Sequence, residues 1–271
     1  MKTSDQWQLA RDSAERYQTI LTPSILGPFA QALVEFADLQ PGERVVDVGC
    51  GTGAAARFAA PVVGPSGQVA GVDVNASMIE VARALPAVAG APVAWHVANA
   101  TDLPVPEAQT DVVLCAQTLQ FLPDKLASLA EMKRVVKADG RITISLWTPI
   151  EDNPYFHTLV GAMAEHVGPE TAVGLGAAFA LSDGEQIREL LTEAGFEQVD
   201  MQTVQLDLPL PALREFVPRH VQATPMANGF NNASAAKQQA VIETVADTLQ
   251  QYEANGRTQI PFRSHMICCQ G

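Results

Sequence analysis

The sequence predicts an α/β fold, a doubly wound parallel sheet preceded by helices, and three observations predict it. After residue 39, short β-branched runs alternate with longer Ala-rich segments, the signature of βαβ units. The first run feeds a glycine-rich turn that opens a helix. Hydrophobic residues make up 47% of the 271 and charged residues 17%, the composition of a globular chain with a sizeable core. At roughly 150 residues per domain the length gives a little under two, one large domain with additions.

The elements follow in order. Trp7, Ala10, Ala14, Tyr17 and Leu21 recur at spacings of three and four, so the stretch from Ser4 is helical; Pro23 interrupts, and Leu26 to Phe36 resumes as a second helix. Leu39-Gln40-Pro41-Gly42 is a turn. Strands are expected at Arg44 to Val48, Gln68 to Val72, Val93 to Val97, Val112 to Ala116 and Arg141 to Trp147. Between them, helices are expected at Gly53 to Val62, Ala76 to Leu85 and Lys125 to Lys137, the last ended by Gly140. Beyond Trp147, Tyr155 to His166 and Ser182 to Ala194 read as helices, the second with Ser182 as N-cap, Glu185 three residues on and Gly195 at its stop. Val199 to Leu208 is a strand, Leu213 to Val221 and Ala233 to Tyr252 are helices around a polar loop at residues 228–232, and Gln259 to Cys268 is a final strand. No internal repeat or low-complexity tract appears.

Seventeen Lys and Arg against thirty Asp and Glu leave a net charge of -13. Nucleic-acid affinity comes mainly from cations neutralising phosphates, so no nucleic-acid partner is expected, and stable association with anionic membranes is disfavoured for the same reason. The first residues are polar where a secretory signal needs an apolar core, and no run approaches the roughly 18 apolar residues of a membrane span, so a soluble, cytoplasmic protein is expected. Cys50, Cys115, Cys268 and Cys269 lack metal-ligand spacing and read as reduced structural thiols. No metal is expected. The ending Cys-Cys-Gln-Gly fits prenylation poorly. Nothing in the sequence assigns an oligomeric state.

The sharpest feature is Val45-Val46-Asp47-Val48-Gly49-Cys50-Gly51-Thr52-Gly53, a strand running into a turn where backbone must fold tightly and let a ligand approach without a Cβ in the way. Alone it is ambiguous, because Gly49, Gly51 and Ala54 also satisfy the dinucleotide pattern. Asp47 would meet a pyrophosphate with unwelcome negative charge and would suit a cationic ligand. Asp73, twenty residues after Gly53 at the end of the second strand, stands where a carboxylate can accept both hydroxyls of an adenosine ribose, a need that NAD and S-adenosylmethionine share. Asn99-Ala100-Thr101-Asp102-Leu103-Pro104 follows the third strand, and Cys115-Ala116-Gln117-Thr118-Leu119-Gln120-Phe121-Leu122 runs out of the fourth.

These four segments, in this order and spacing, resemble the class I S-adenosylmethionine-dependent methyltransferases, most closely the small-molecule type related to the ubiquinone and menaquinone C-methyltransferases. The resemblance covers residues 39–195. It implies a Rossmann-like seven-stranded sheet whose antiparallel last strand lies between the fifth and sixth. It implies S-adenosylmethionine as cofactor, with Asp47, Gly49, Cys50, Gly51 and Gly53 bordering the methionine moiety and its ammonium, and Asp73 taking the ribose hydroxyls. Val74 and Met78 would pack on the adenine; Asn99, where the family commonly has Asp, would accept from the adenine amino group, beside Ala100 and Thr101. Gln117 would face the methionine end near the methyl. Tyr17 sits where related enzymes often place an aromatic over that end.

The resulting division is N-terminal helices over the active site (residues 1–38), a cofactor-binding core (39–209, with a partial cap at 148–181), a helical lid insertion (210–257) and the last core strand (258–271). The expected function is transfer of the sulfonium methyl to a small, mostly apolar acceptor by in-line displacement; a non-catalytic S-adenosylmethionine-binding protein and a nicotinamide-dependent oxidoreductase are the competing readings. The catalytic candidates are Gln117 and, as a base from the cap, His220, with His157 and His166 beside it; His96 and His265 read as structural. Phe121, Trp147, Tyr155, Phe156, Phe179, Phe216 and Phe230 should frame an apolar pocket, with Gln117, Gln120 and Arg263 as its polar groups.

Overall fold

The computed structural model describes residues 11–254 and 257–270; Trp7 and Ala10 lie outside the described residues. The strands are β1 (Arg44–Val48), β2 (Gln68–Asp73), β3 (Val93–Val97), β4 (Thr110–Ala116), β5 (Val136–Trp147), β6 (Val199–Leu210), β7 (Glu253–Ala254) and β8 (Arg257–Gln270). Seven run in the order β3-β2-β1-β4-β5-β8-β6, and the two-residue β7 pairs with the start of β8. β1 to β5 pair in parallel, while β8 is antiparallel to both neighbours, Met266 standing between Ser145 and Gln202. The expected α/β sheet, with its antiparallel last strand between the fifth and sixth, is the one present.

The helices are α1 (Arg11–Arg16), α2 (Gly27–Phe36), α3 (Ala54–Val63), α4 (Ala76–Ala84), α5 (Lys125–Val135), α6 (Pro154–His166), α7 (Pro169–Gly176), α8 (Gly184–Glu193), α9 (Leu213–Gln222), α10 (Ala227–Asn232) and α11 (Ala235–Thr248). Strands buried on both faces need apolar residues at consecutive positions, which is why three of the five residues of β1 are valine. Val45, Val69 and Leu114 pack on one face against Ala30 of α2 and Ala55 and Ala59 of α3. Val46, Val113 and Ile142 pack on the other against Leu129 of α5 and Ile187 and Leu191 of α8. A third cluster gathers α2, α6, α9 and α11 around Trp147, Phe262 and Leu210, residues at the carboxyl edge of the parallel strands. Among the described residues no helix is long and apolar enough to cross a membrane.

Several expectations are corrected. The two N-terminal helices form one helical run whose middle ten residues, Tyr17–Leu26, wind as a π-helix with Pro23 inside. The Gly27 N–H reaches back to the Thr22 carbonyl, and a Cβ at Gly27 would stand 2.5 Å from that oxygen. α5 ends at Val135, and β5 begins at once at Val136. Gly140 therefore caps no helix; it lies within β5, where a Cβ would come 2.6 Å from the Asp111 carbonyl oxygen. The N-cap of α8 is Asp183 and not Ser182: its carboxylate accepts from the N–H groups of Glu185 and Gln186 at 2.9 and 3.0 Å. The polar loop at 228–232 is part of α10, held by Phe230 buried beneath it. α7 was not foreseen, because its Gly-rich sequence PETAVGLG has weak helix propensity.

The corrected cap is open to measurement. Asp183→Ala should lower the free energy of unfolding in denaturant by about 0.5–2 kcal/mol, the usual worth of an N-cap carboxylate. Ser182→Ala should stay within roughly 0.5 kcal/mol of the parent. The reverse order would restore Ser182 as the cap.

Candidate functional site

The site begins where β1 leaves the sheet. Gly49, Gly51 and Gly53 have φ of +69°, +54° and +87°, the left-handed region where a Cβ is costly. The three have different reasons for lacking a side chain. A Cβ at Gly49 would stand 2.1 Å from Cγ2 of Thr118, whose hydroxyl donates to the Gly49 carbonyl at 3.0 Å. A Cβ at Gly53 would stand 2.1 Å from the ring of Trp95, so that glycine serves packing. At Gly51 the nearest atoms belong to Tyr17, 3.6 Å away, and leave ordinary room.

Two carboxylates brace this turn. Asp47, fully buried, accepts from the Ala56 N–H in the first turn of α3 at 2.9 Å, and its other oxygen has no partner. Burial pushes its pKa up to about 7, against the Ala56 hydrogen bond and with Asp73 adding repulsion. Asp73 accepts from Gly51 N–H on one oxygen and Asn75 N–H on the other, both at 2.8 Å, and burial raises its pKa as well. Each carboxylate oxygen has about two acceptor sites, so Asp73 retains capacity for two more hydrogen bonds. Asn75 caps α4 by accepting from Ser77 and Met78.

Above the turn lies a cavity of about 270 Å³ at the carboxyl ends of β1, β2, β4 and β5. One side is built by Gly49, Gly51, Asp73, Val74, Met78, Asn99 and Ala100, and Tyr17 of the π-helical stretch closes over it. The other side is apolar, with Ile25, Phe121, Trp147, Phe156 and Leu175. Tyr17 is half-buried, and desolvation of its hydroxyl pushes the pKa up, so the hydroxyl keeps its proton. Among the described residues no group of three His, Cys, Asp or Glu is placed to hold a metal.

Polar side chains punctuate the apolar side, Gln117, Gln120 and His220 among them. Gln117, immediately after β4, has φ of +49°, a strained conformation for a side-chain-bearing residue. Its N–H donates to the carbonyl and hydroxyl of Ser145 at 3.0 and 3.2 Å, and its amide nitrogen donates to Ser264 Oγ at 2.8 Å, leaving Oε1 without a partner. Gln120 is 5% exposed and neither atom of its amide has a partner. His220 of α9 is buried, with Nδ1 2.7 Å from the Tyr155 hydroxyl, and burial drives its pKa down to about 3, so the ring is neutral.

Of the residues singled out by sequence, Tyr17, Gly49, Gly51, Asp73, Val74, Met78, Asn99, Ala100, Gln117, Gln120 and His220 come together on this wall, and Asp47, Cys50, Gly53 and Thr101 stand off it. Cys50 is buried behind the turn, where burial pushes its thiol pKa up and keeps it protonated. Thr101 instead holds Asn99: its N–H and hydroxyl both meet Asn99 Oδ1 at 3.1 Å. With its oxygen so engaged, the Asn99 side chain keeps its amide nitrogen as the donor available to the cavity. His157 is exposed, and His166 joins α6 to Thr244 of α11 at 2.8 Å; neither lines the cavity. Arg263 is also away from it, because β8 alternates: Phe262 and Ser264 point inward while Arg263 turns out to Gln205 and Asp152. Tyr155, Phe179, Phe216 and Phe230 pack behind the wall and do not form it. Sequence reasoning missed Thr118 and Ser264, whose partners lie 69 and 147 residues away in the chain. It also missed Asn75, which its position before α4 could have marked as an N-cap.

Residues 45–140 match the family model for a methyltransferase domain. A ubiquinone/menaquinone biosynthesis C-methyltransferase of Ralstonia pickettii is 32% identical over 173 residues, covering 60% of this chain and 71% of the relative. A nocamycin O-methyltransferase of Saccharothrix syringae is 29% identical over 201 residues, 70% of this chain and 72% of the relative. Among solved structures, a phosphoethanolamine N-methyltransferase 2 of Haemonchus contortus, in complex with phosphomonomethylethanolamine and S-adenosylhomocysteine, superposes with a TM-score of 0.60 at 18% identity, over 99% of this chain and 59% of that one. At that identity the likeness is one of fold.

The geometry of the turn separates two substitutions that look alike in sequence. Gly51→Ala should cost only the left-handed conformation, about 1–2 kcal/mol in denaturant unfolding. Gly49→Ala adds the collision with Thr118, and overpacking contributes a further 1–3 kcal/mol or so. Equal losses would mean that Thr118 moves aside freely.

Proposed function

The chain belongs to the class I S-adenosylmethionine-dependent methyltransferases related to the ubiquinone and menaquinone C-methyltransferases, enzymes whose cofactor is S-adenosylmethionine, and on that premise we propose that it methylates a small, mostly apolar metabolite by direct in-line displacement. One observation carries the reading: a glycine turn braced by Asp73 opens into a cavity whose far side is aromatic and aliphatic, with few cations. The residues fit the cofactor. Gly49 and Gly51 leave backbone bare against the cavity, Asp73 has hydrogen-bonding capacity for a ribose, and Val74 and Met78 offer apolar surface to an adenine, with the Asn99 amide nitrogen at its edge. The unpartnered oxygen of Asp47 supplies negative charge behind the turn for the ammonium of the methionine moiety.

The cofactor supplies a methyl on a sulfonium, already a good leaving group. The protein's part is therefore to align acceptor and methyl and to exclude water, an effect worth up to about 7–11 kcal/mol. Tyr17 and the aromatic wall exclude water, and Gln117, fixed by Ser145 and Ser264, orients the methionine end. We assign residues 39–209 and 258–271 to the cofactor-binding core and residues 1–38, 148–181 and 210–257 to its cover. A neutral, weakly polar acceptor fits such a wall, a polyanion or nucleic acid does not, and we place the reaction in the cytoplasm.

Calorimetry should show S-adenosylhomocysteine binding and no binding of NAD, and Asp73→Ala should weaken the former at least tenfold, since charge-assisted hydrogen bonds contribute about 1.5–3 kcal/mol each. NAD binding of similar strength sinks the reading.

Affinity for S-adenosylhomocysteine should also depend on pH in a definite direction. The Asp47 carboxyl, raised to about 7 by burial, is protonated at lower pH and must ionise to face the ammonium. Binding then releases a proton, so affinity should rise with pH by up to about tenfold per unit below pH 7 and level off above it. Asp47→Asn should flatten the profile; a slope that survives in this variant belongs to Asp73.

A further inference from the structure

The methyl-transfer reading leaves Gln120 and His220 on the apolar side without a task. Gln120 is 5% exposed, both atoms of its amide lack partners, and it lines the same cavity as His220. Buried amides are ordinarily hydrogen-bonded, so an orphaned one on a cavity wall points to a molecule carrying both a donor and an acceptor.

The chemistry of His220 is fixed from behind. Tyr155 is fully buried, and among the described residues the hydrogen bond its hydroxyl makes is to His220 Nδ1, at 2.7 Å. The surroundings are otherwise aromatic, with Phe156, Phe216 and Phe262 at centroid distances of 5.7, 5.7 and 6.0 Å from the Tyr155 ring. If Nδ1 carried the imidazole proton, it would donate to the hydroxyl oxygen, and the hydroxyl's own proton would be stranded among these rings. With the hydroxyl donating to Nδ1, the hydroxyl proton and the Nδ1 lone pair are both satisfied, and the ring proton resides on Nε2. Phe216 stacks on His220 at 5.5 Å and 9°, which holds the plane of the ring. Burial among these groups keeps the imidazole uncharged, so it offers a hydrogen bond and not a formal charge.

We propose that Tyr155 and His220 form a positioning pair that presents a neutral Nε2–H donor to the cavity, and that with the Gln120 amide it selects acceptors carrying a carbonyl or enolate oxygen beside a hydroxyl on an apolar body. His220 and Gln120 donate to the oxygens, and the Gln120 carbonyl accepts from the hydroxyl. His220 takes up no proton in this scheme; it differs in that from a general base, whose lone pair would have to face the substrate. An acceptor already ionised as an enolate or phenolate needs no base, since the methyl leaves sulfur with the electron pair remaining on sulfur while the oxygen or carbon nucleophile forms the new bond.

The test uses the full chain and two readouts. Isotope-edited NMR on the free protein should find His220 as the Nε2–H tautomer, unchanged from pH 5 to 8, and Tyr155→Phe should turn it into a mixture of tautomers. Calorimetry with the protein saturated in S-adenosylhomocysteine should find ortho-hydroxyacetophenone bound about tenfold more tightly than ethylbenzene, and His220→Phe and Gln120→Leu should each cut that preference about threefold or more without altering affinity for S-adenosylhomocysteine. An Nδ1–H tautomer, a charged ring in that pH range, or a preference that is absent or survives His220→Phe overturns the proposal. If His220→Phe fails to fold, the wild-type tautomer decides. Loss of S-adenosylhomocysteine binding in the wild type would strike the function proposed above, and the tautomer would still judge the pair.

Discussion

The whole site depends on the crossing of chain segments at the carboxyl ends of β1, β2 and β4. Gly49 passes so close to Thr118 that not even a methyl fits, and the Thr118 hydroxyl clasps the Gly49 carbonyl across that gap. Asp73 ties the next turn of backbone to β2 through Gly51, while Asp47 ties β1 to the first turn of α3 through Ala56. Three hydrogen bonds and one forbidden volume thus fix the backbone that faces the cavity. Asp47 is buried and Asp73 half-buried, both at a cost in desolvation visible in their raised pKa values, and among the described residues neither has a cationic side chain to offset it. The turn is held at the expense of stability, as functional sites commonly are.

The helices at the carboxyl edge of the sheet are not a separate body resting on it. Trp147, the last residue of β5, touches Phe29 of α2 at a centroid distance of 4.9 Å, Phe156 of α6 at 5.2 Å, Phe179 at 6.3 Å and Phe262 of β8 at 6.5 Å. α2, α6, the turn at Phe179 and β8 therefore share one aromatic core with the end of β5. Aromatic edge-to-face contacts of this kind contribute about 0.5–1.5 kcal/mol beyond the area they bury. A shift of any one layer disturbs the packing of the others, and the shape of the apolar wall is set jointly by parts of the chain far apart in sequence.

What was legible in the sequence follows the length scale of the physics involved. β1 and β3 were placed to the residue: a Gly-rich turn ends the Val-rich run of β1, and Pro92 and Asn99 bracket the β-branched and aromatic run of the half-exposed edge strand β3. The boundary of α5 with β5 was misplaced, since Ala138-Asp139-Gly140 is a good helix stop locally and only the close approach of Asp111 reveals another use for Gly140. Asp183 displaced Ser182 as a cap by one residue, within the usual scatter of helix ends. In the site, Gln117 was marked only by the family resemblance, whereas Gly49 and Asp73 were legible because their chemistry is local to strand ends. The Ser264 hydroxyl that holds Gln117 was not, nor was the left-handed backbone at Gln117, since both arise from tertiary contact. Arg263 was drawn toward the cavity by its position near the start of β8, and strand alternation turned it away.

The place of β8 in the sheet bears on how the molecule comes into being. A ribosome emits the strands in chain order, yet the sheet sets β8 between β5 and β6, so a nascent chain that has finished β6 still lacks the strand that must separate it from β5. Until that strand arrives, the inner edge of β5 has no neighbour, Trp147 lacks Phe262, and Gln117 lacks the hydroxyl that steadies its amide. Long-range pairing of this kind is slow to form and leaves unpaired edges exposed in the interval. The glycine turn and Asp73 belong to the earlier strands, so their side of the cavity can assemble before the side that needs β8. A cofactor caught by the half-built chain would then stabilise the first strands while the last one is still being made.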